Sequence, residues 1–485
     1  MSITISINGR NVVLRDIEPT TTTLEWLRQS GRTGTKEGCA EGDCGACTIA
    51  IRSPNAAGCS SWRSVCACIL PVAQLADHDV VTVEGLAERE ALHPAQQAMV
   101  DTLGSQCGYC TPGFVMSLFE ATYRTDLTDQ ARLDDQICGN LCRCTGYRPI
   151  RDALETVAGT CPHDRFAAAC AKAAPTAGPV DITHGEHRFL RPTQWSALFE
   201  AVAEHGKPPV YVNGATDLGL WITKRGEKWP LLVDLAALPE LGRLTHAAGV
   251  YTIGAGVRLS DLEAWAKDRL PIVARMLRYF ASRQIKNRAT VGGNLCNASP
   301  IGDLPPVMLA LDATAVIRGP LGDRRVPMSE FFLAYRKTAL QPGEVLLAVE
   351  VPEPPAGARQ SAFKVSKRRE LDISAVCAAM VVAMDASGNV LHARLAYGGM
   401  AATPSRAREA EAVLRRAPWT AETVEAAAEA IARDFNPIND HRGTVWYRAR
   451  VAANLLRAFF DETSDASTPA LPQRPVGTVV IGGRP

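Results

Sequence analysis

At 485 residues the chain is too long for one ordinary core, so two to four domains are expected. Its 52 basic and 51 acidic residues leave a net charge of +1, which argues against a polyanionic partner. Apolar residues never run long enough to span a bilayer. The opening MSITISINGR alternates like a strand and lacks the basic-then-apolar order of a secretory leader, so a cytoplasmic protein is expected.

In chain order, Ile3, Ile5 and Ile7 alternate with polar residues, Asn8-Gly9 supplies a type I′ turn, and Val12 to Leu14 return, predicting a hairpin over 2–14. Thr20 to Thr23 can cap a helix through Leu24, Trp26 and Leu27 that Gly31 stops. A glycine-rich loop, a strand from Thr48 to Ile51, a cysteine-bearing segment and a strand over Val80 to Val83 complete a small mixed-sheet domain. Helices then follow, from Ala91 to Leu103, from Pro112 to about Tyr123, and from Thr128 to Cys138. Residues 166–180 are rich in Ala, Pro and Gly and read as a linker. Beyond it the pattern is α/β. Strands at Val210 to Val212, Leu231 to Asp234 and Val250 to Ile253 alternate with helices such as Leu259 to Lys267. Strands at Ala375 to Ala383 and Val390 to Ala396 precede helices at about 406–432 and 445–460, and an extended tail follows.

Fifteen cysteines in a reducing compartment point to metal rather than disulfides, and thirteen of them lie between Cys39 and Cys170. Cys39, Cys44 and Cys47 follow C-x₄-C-x₂-C among glycines 38, 42 and 45. This is the plant-type ferredoxin spacing of a [2Fe–2S] cluster, which one distant cysteine completes. That fourth ligand is Cys66 or Cys68; Cys68 precedes an apolar run, and Cys59 sits in a serine-rich loop as a bystander. Cys107 and Cys110 form C-x₂-C before Pro112, and Cys142 with Cys144 forms C-x-C. Two such pairs at helix ends can bring four thiolates together, for a second cluster or equally for zinc.

A G-x-G-x-x-G motif is missing; Gly254-Ala255-Gly256 lacks the third glycine. Val212 to Leu218 and Thr290 to Asn294 are better phosphate loops, each able to turn consecutive N–H groups outward, although ordinary turns would look the same.

The neighbours of the cysteines carry a resemblance. S-Q-C-G-Y-C-T-P-G, G-N-L-C-R-C-T-G-Y-R-P-I, E-G-C-A-E-G-D-C-G-A-C-T and T-V-E-G-L at 82–86 resemble the cluster motifs of the molybdenum hydroxylase family. The resemblance implies one [2Fe–2S] cluster on Cys39, Cys44, Cys47 and Cys68, the last in an A-C-I segment seventeen residues before Gly85. It implies a second on Cys107, Cys110, Cys142 and Cys144, with Gln106 between that cluster and a molybdopterin, and leaves Cys138 as a core thiol. It further implies FAD. Tyr211, Val212, Asn213, Gly214, Ala215, Thr216, Asp217 and Leu218 would form one pyrophosphate loop, and Thr290, Val291, Gly292, Gly293 and Asn294 the other. Phe280, Asp303, Leu346 and Lys364 match positions beside the flavin, although an exposed lysine is the default for Lys364. Y-R-K-T at 335–338 and A-Y-G-G-M at 396–400 are further family markers.

The fold so implied is multidomain α+β. A β-grasp plant-type ferredoxin domain (1–86) leads to a four-helix-bundle [2Fe–2S] domain (87–165) and a linker (166–188). An α/β FAD domain of vanillyl-alcohol-oxidase type (189–358), a C-terminal α+β flavoprotein domain (359–462) and an extended tail (463–485) follow. Iron–sulfur and FAD domains on one polypeptide match the purine-oxidising members, so the resemblance implies a relay. A molybdopterin-binding large subunit, in a heterotetramer of two small and two large chains, hydroxylates hypoxanthine and xanthine. Electrons then cross the clusters to FAD and leave on NAD⁺. With the chain ending at Pro485, the molybdopterin domain is expected on that other polypeptide, and no acid or base for purine chemistry is expected here. The competing readings are an aldehyde or N-heterocycle substrate, and a zinc-stabilised assembly protein without a redox role.

Overall fold

Ile3, Ile5 and Ile7 all turn inward from the first strand, Ser2–Ile7, in the computed structural model, which describes residues 2–54, 59–368 and 371–464. The chain forms two compact units. One holds Met1–Arg243 with Ala255–Asp261 and Ala281–Gly293; the other holds Leu244–Gly254, Leu262–Phe280 and the chain from Asn294 onward.

In the first unit Asn8 and Gly9 both take left-handed backbone, φ 52° and 77°, as the I′ turn requires, and join Ser2–Ile7 to Arg10–Arg15. The sheet runs Arg10–Arg15, Ser2–Ile7, Asp79–Val81, Thr48–Pro54, Ser60–Cys66, with the first strand parallel to Asp79–Val81. Two expectations change here. The cysteine-bearing segment is itself the strand Ser60–Cys66, and the strand expected over Val80 to Val83 ends at Val81. The Asn8 side chain ends it: its carbonyl accepts from the Thr82 amide at 2.9 Å and its amide donates to the Thr82 hydroxyl at 2.9 Å, so the backbone leaves the ladder there. The helix expected after Thr20 to Thr23 runs Thr23–Gln29, capped by Thr22.

Four helices follow: Pro94–Asp101, Thr111–Thr122, Gln130–Ile137 and Arg148–Val157. The first carries a capping box from His93 and Gln96. Thr111–Thr122 is buried from Gly113 onward, and Pro112 sits in its first turn, where a missing N–H costs nothing. The stretch read as a linker is structured. It holds the helix Arg165–Cys170 and a hairpin of Val180–His184 with His187–Arg191. Phe166 is the reason: its ring meets Trp62 at 5.8 Å, His93 at 5.6 Å and Phe119 at 4.9 Å, and its carbonyl accepts from the Trp62 indole at 3.1 Å. Edge-on aromatic packing outweighs a composition that favours flexibility. Phe166→Ala is expected to cost about 3–5 kcal/mol, read as a lowered denaturant midpoint. The hairpin continues into a sheet ordered Val180–His184, His187–Arg191, Leu231–Asp234, Val210–Val212.

The second unit holds a five-stranded antiparallel sheet in the order Leu244–Ala247, Val250–Gly254, Val345–Pro352, Thr314–Gly319, Gly322–Pro327. A four-stranded sheet, Arg359–Val365, Val376–Met384, Val390–Gly398, Ser405–Arg406, buries one core with the C-terminal helices. The helix expected over 406–432 is two, Arg408–Leu414 and Ala421–Asp434, because Arg416 turns left-handed (φ 61°) just before Pro418. Val445–Ser464 closes the described chain, and the tail from 465 lies outside the described residues. Among the described residues, no helix is long and apolar enough to cross a membrane.

Candidate metal and flavin sites

The first cysteine loop curls because Ala40, Gly42 and Gly45 are all left-handed, at φ 53°, 78° and 68°. That curl aims backbone donors at sulfur. The amides of Glu41, Asp43 and Cys44 donate to Cys39 Sγ at 3.4, 3.3 and 3.3 Å, and the Cys39 amide donates to Cys44 Sγ at 3.3 Å. Hydrogen bonds from the Cys44 and Cys68 thiols, then from the Glu41 and Cys44 amides, hold Cys39 far below the usual thiol range. Cys47, fully buried, is also held low, by the Cys66 and Cys68 thiols. Cys39 and Cys47 thus favour the thiolate, the form that binds iron, while Cys44 and Cys68, which donate to Cys39, are pushed up. Of the two candidates for the fourth position, Cys68 reaches both Cys39 and Cys47, while Cys66 reaches Cys47 and the Gly42 carbonyl at 3.6 Å.

The second set comes together as two pairs, each with one thiol from either motif: Cys107 with Cys144, and Cys110 with Cys142. Cys110 stands at the head of Thr111–Thr122, and Cys142 and Cys144 precede Arg148–Val157, whose cap residue Tyr147 is left-handed at φ 69°. Tyr147 Oη accepts from the Cys142 amide at 3.0 Å, and the Thr145 hydroxyl lies 3.2 Å from Cys142 Sγ. The Tyr109 amide, then the Cys144 thiol, lower Cys107; burial pushes Cys110 up to about 12. Cys107, Cys144 and Gln106 are exposed, so this set opens to solvent where the first is enclosed. Among the described residues no group of three or more His, Cys, Asp or Glu side chains is set to hold a single metal ion. A binuclear cluster held by four thiolates asks instead for two pairs, the arrangement of this donor set.

The two cysteine loops touch. The Leu141 amide donates to the Cys44 carbonyl at 3.0 Å, and Asn140 Nδ2 donates to the Gly45 carbonyl at 3.0 Å. A side chain at Gly45 would lie 2.2 Å from the Gly139 carbonyl, so only glycine permits the approach.

Sequence reasoning missed Glu120, the one acid in the apolar run of Thr111–Thr122 and itself 1 % exposed. Its Oε1 accepts from Arg283 Nε at 2.9 Å and Asn287 Nδ2 at 3.1 Å; its Oε2 accepts from the Ser64 amide at 3.1 Å, the Ser64 hydroxyl and Gln136 Nε2 at 3.3 Å. One carboxylate therefore ties the strand Ser60–Cys66, the helices and the 283–287 segment. Burial works against its charge, but Arg283, Arg124 and Ser64 outweigh it and leave its pKa lowered. A lone acid inside an apolar helix was the available signal.

The first expected phosphate loop and Thr290 to Gly293 of the second lie in the first unit, which brings them together; Asn294 belongs to the second unit. The carbonyls of Asn213 and Gly214 are taken by Arg288, at 3.0 and 3.4 Å, and Asn213 also by Gln74 Nε2 at 2.8 Å. Gly214 lies so close to the Arg288 carbonyl that a Cβ would sit 2.2 Å from it. Tyr211 and Val212 end the strand Val210–Val212. Ala215 is left-handed at φ 64°, and Thr216 and Asp217 lead into the helix from Leu218. In the second loop the Thr290 hydroxyl accepts from the Gly293 amide at 3.1 Å, and Val291 and Gly292 donate to Val257 at 3.0 Å and Ala255 at 2.7 Å. The Ala255 to Val257 segment thus holds the second loop, although its glycine pattern is incomplete. Asn294, the next residue, has a buried Oδ1 with no partner among the described residues, the kind of acceptor a bound ligand satisfies.

Within the second unit, Lys364 is not the solvated lysine that statistics favour. Its side chain is 5 % exposed and pairs with Asp303 Oδ2 at 2.7 Å, and it lies 6.0 Å above the Phe280 ring. The Ser374 hydroxyl and Lys364 together hold the Asp303 carboxylate. Leu346 is buried in Val345–Pro352, paired with Ile317. The A-Y-G-G-M segment braces the S-P-I-G-D-L loop, the Gly399 amide donating to Pro300 at 2.7 Å, and buried Arg448 donates to the Gly399 carbonyl at 2.8 Å.

Residues 5–80 match the family described as a 2Fe-2S iron-sulfur cluster binding domain, and 82–155 a [2Fe-2S] binding domain. Residues 185–354 match the FAD binding domain in molybdopterin dehydrogenase, and 361–463 the CO dehydrogenase flavoprotein C-terminal domain. The fold and its sites are therefore those of an iron–sulfur flavoprotein. The chain carries the two 2Fe-2S modules and the FAD module of the molybdenum hydroxylase family. It is 32 % identical to xanthine dehydrogenase of Emericella nidulans over 95 % of its own length and 38 % of that protein's. It is 31 % identical to xanthine dehydrogenase/oxidase of Gallus gallus, over 94 % and 39 %. The chain thus spans under two fifths of those relatives. Among solved structures, carbon monoxide dehydrogenase from Hydrogenophaga pseudoflava matches at TM-score 0.53 and 29 % identity, covering 56 % of this chain and 94 % of that one. Quinoline 2-oxidoreductase from Pseudomonas putida 86 matches at 0.52 and 26 %, with the same coverage.

Proposed function

We propose that this chain is the iron–sulfur/FAD subunit of a cytoplasmic xanthine dehydrogenase, which receives electrons from a molybdopterin-binding partner and reduces NAD⁺. The observation that carries the reading is that xanthine dehydrogenases match this chain across both iron–sulfur modules and the flavin module in one continuous order. Bound here, two [2Fe–2S] clusters supply one-electron transfer and FAD the junction between single electrons and a hydride. Cys39, Cys44, Cys47 and Cys68 hold the enclosed cluster, and Cys107, Cys110, Cys142 and Cys144 the open one. The loop amides around Cys39 stabilise negative charge on its sulfur and exclude water. The exposure of Cys107, Cys144 and Gln106 supports this end as the one facing the partner.

For FAD, interior side chains take the Asn213 and Gly214 carbonyls. This leaves amides of the 211–218 segment for a pyrophosphate, while in the 290–294 segment, whose Val291, Gly292 and Gly293 amides are used within the fold, the Asn294 side chain is the group proposed to meet it. Phe280, Asp303, Leu346 and Lys364 are proposed as further FAD contacts. The Lys364–Asp303 pair keeps a fixed cation in a dry setting, where its charge acts with little screening. A heterotetramer of two small and two large subunits completes the proposal.

The test is co-purification. The cofactor-loaded chain alone is expected to reduce dyes with NADH and leave xanthine untouched, and with its partner it is expected to oxidise xanthine with NAD⁺. Purine turnover by the isolated chain would overturn the division of labour. Turnover of an aldehyde or N-heterocycle but no purine by the complex would overturn the substrate.

A further inference from the structure

Arg288 is buried without a carboxylate at its side. It is 8 % exposed, and among the described residues no acidic oxygen lies within 4.0 Å of its guanidinium. Its hydrogen bonds go to neutral acceptors: Nη2 donates to the Asn213 carbonyl at 3.0 Å and to Gln74 Oε1 at 3.2 Å, and Nε donates to the Gly214 carbonyl at 3.4 Å. Asp234 is reached through that Gln74 amide, whose Nε2 donates to Asp234 Oδ1 at 3.0 Å. A buried cation is costly unless an anion offsets it. The same bonds orient the first phosphate loop. In a trans peptide C=O and N–H point in opposite directions, and no cis peptide occurs among the described residues. Carbonyls of Asn213 and Gly214 turned toward Arg288 therefore turn the Gly214 and Ala215 amides away from it. Among the described residues neither amide donates to a protein acceptor.

We infer that Arg288 is a positioning residue for a diphosphate: from behind the loop its charge holds the two carbonyls inward, strengthens the Gly214 and Ala215 amides as outward donors, and offsets the negative charge of the cofactor they bind. The inference rests on the FAD reading proposed above and adds to it the source of the loop's preference for an anion. A cation on the carbonyl side of a peptide polarises it, so its N–H forms a stronger bond to an anion. Buried as it is, the charge is weakly screened by solvent.

The experiment measures two quantities on the cluster-loaded, flavin-stripped chain: FAD affinity, from quenching of flavin fluorescence, and the denaturant midpoint without flavin. Wild type is compared with Arg288→Gln, which keeps a donor for the carbonyls and loses the charge, and with Arg288→Lys, which keeps the charge. Arg288→Gln is expected to weaken FAD roughly ten- to hundredfold, as loss of a charged hydrogen-bonding group implies. Arg288→Lys falls between Arg288→Gln and wild type. The flavin-free midpoint of Arg288→Gln is expected to equal or exceed that of wild type, because the substitution removes a buried charge that lacks a direct partner. A residue that only braces the loop would move that midpoint down. Equal FAD affinity in Arg288→Gln and wild type, Arg288→Lys no better than Arg288→Gln, or a lowered flavin-free midpoint in Arg288→Gln would each overturn the inference. A wild-type chain that holds both clusters yet binds no FAD would instead overturn the FAD reading itself.

Discussion

Cys110→Ala is expected to abolish the second cluster's EPR signal and leave the first, and to separate the two activities proposed above for wild type. Reduction of dyes by NADH continues, because it needs only the flavin end. Flavin reduction by substrate through the partner falls by more than the roughly 10–100-fold that removing a group which merely orients a ligand costs. The reason lies in the pairing: Cys110 meets Cys142 across the two motifs, so its loss leaves one of the two thiol pairs single. Iron analysis with both assays on one preparation checks it. Equal loss of the two activities would show that the open site does not lie between partner and flavin.

The second large effect is expected at Glu120. All its partners (Arg283, Asn287, Gln136, and the Ser64 amide and hydroxyl) are donors, so the site demands a group that only accepts. Glu120→Gln turns an NH₂ toward donors, and Glu120→Ala leaves Arg283 with an uncompensated charge. Breaking a buried pair this way costs about 3–5 kcal/mol. The pH dependence follows from the sign of the shift. The folded-state pKa of Glu120 lies below the ordinary 4.5, so its contribution is full above that value and is lost as pH falls through the folded-state value. Denaturation midpoints of wild type and Glu120→Gln should therefore stand far apart at neutral pH and converge in acid. A gap that stays constant down to the acid limit would remove the carboxylate's charge from the account.

What could be read from the chain alone follows how local each feature is. The cysteine spacings, the Asn8-Gly9 turn and the helix opened by Pro112 depend on neighbours a few residues away, and they hold. The helix Arg165–Cys170 was hidden because its one strong residue, Phe166, packs against Trp62, His93, Phe119 and Tyr123, far away in the chain. Burial of Lys364 depends on Asp303, sixty-one positions earlier, so no window around the lysine reveals it. Spacing left Cys66 and Cys68 equal; in the fold Cys66 ends the strand Ser60–Cys66, and Cys68 lies in the helical turn Ala67–Ile69 that follows it. Ala255 to Val257, dismissed for an incomplete glycine pattern, bonds to the Thr290 segment through backbone groups that any sequence possesses.

The Leu141 amide on the Cys44 carbonyl has a consequence for the protein's life in a cell. Two iron sites share one stretch of hydrogen-bonded backbone, with no room for a methyl group at Gly45. Local opening at an unfilled site is therefore expected to reach the backbone that the other shares and expose it to proteases, even where the other site keeps its cluster. Limited proteolysis is expected to cut molecules lacking one cluster sooner than those that hold both.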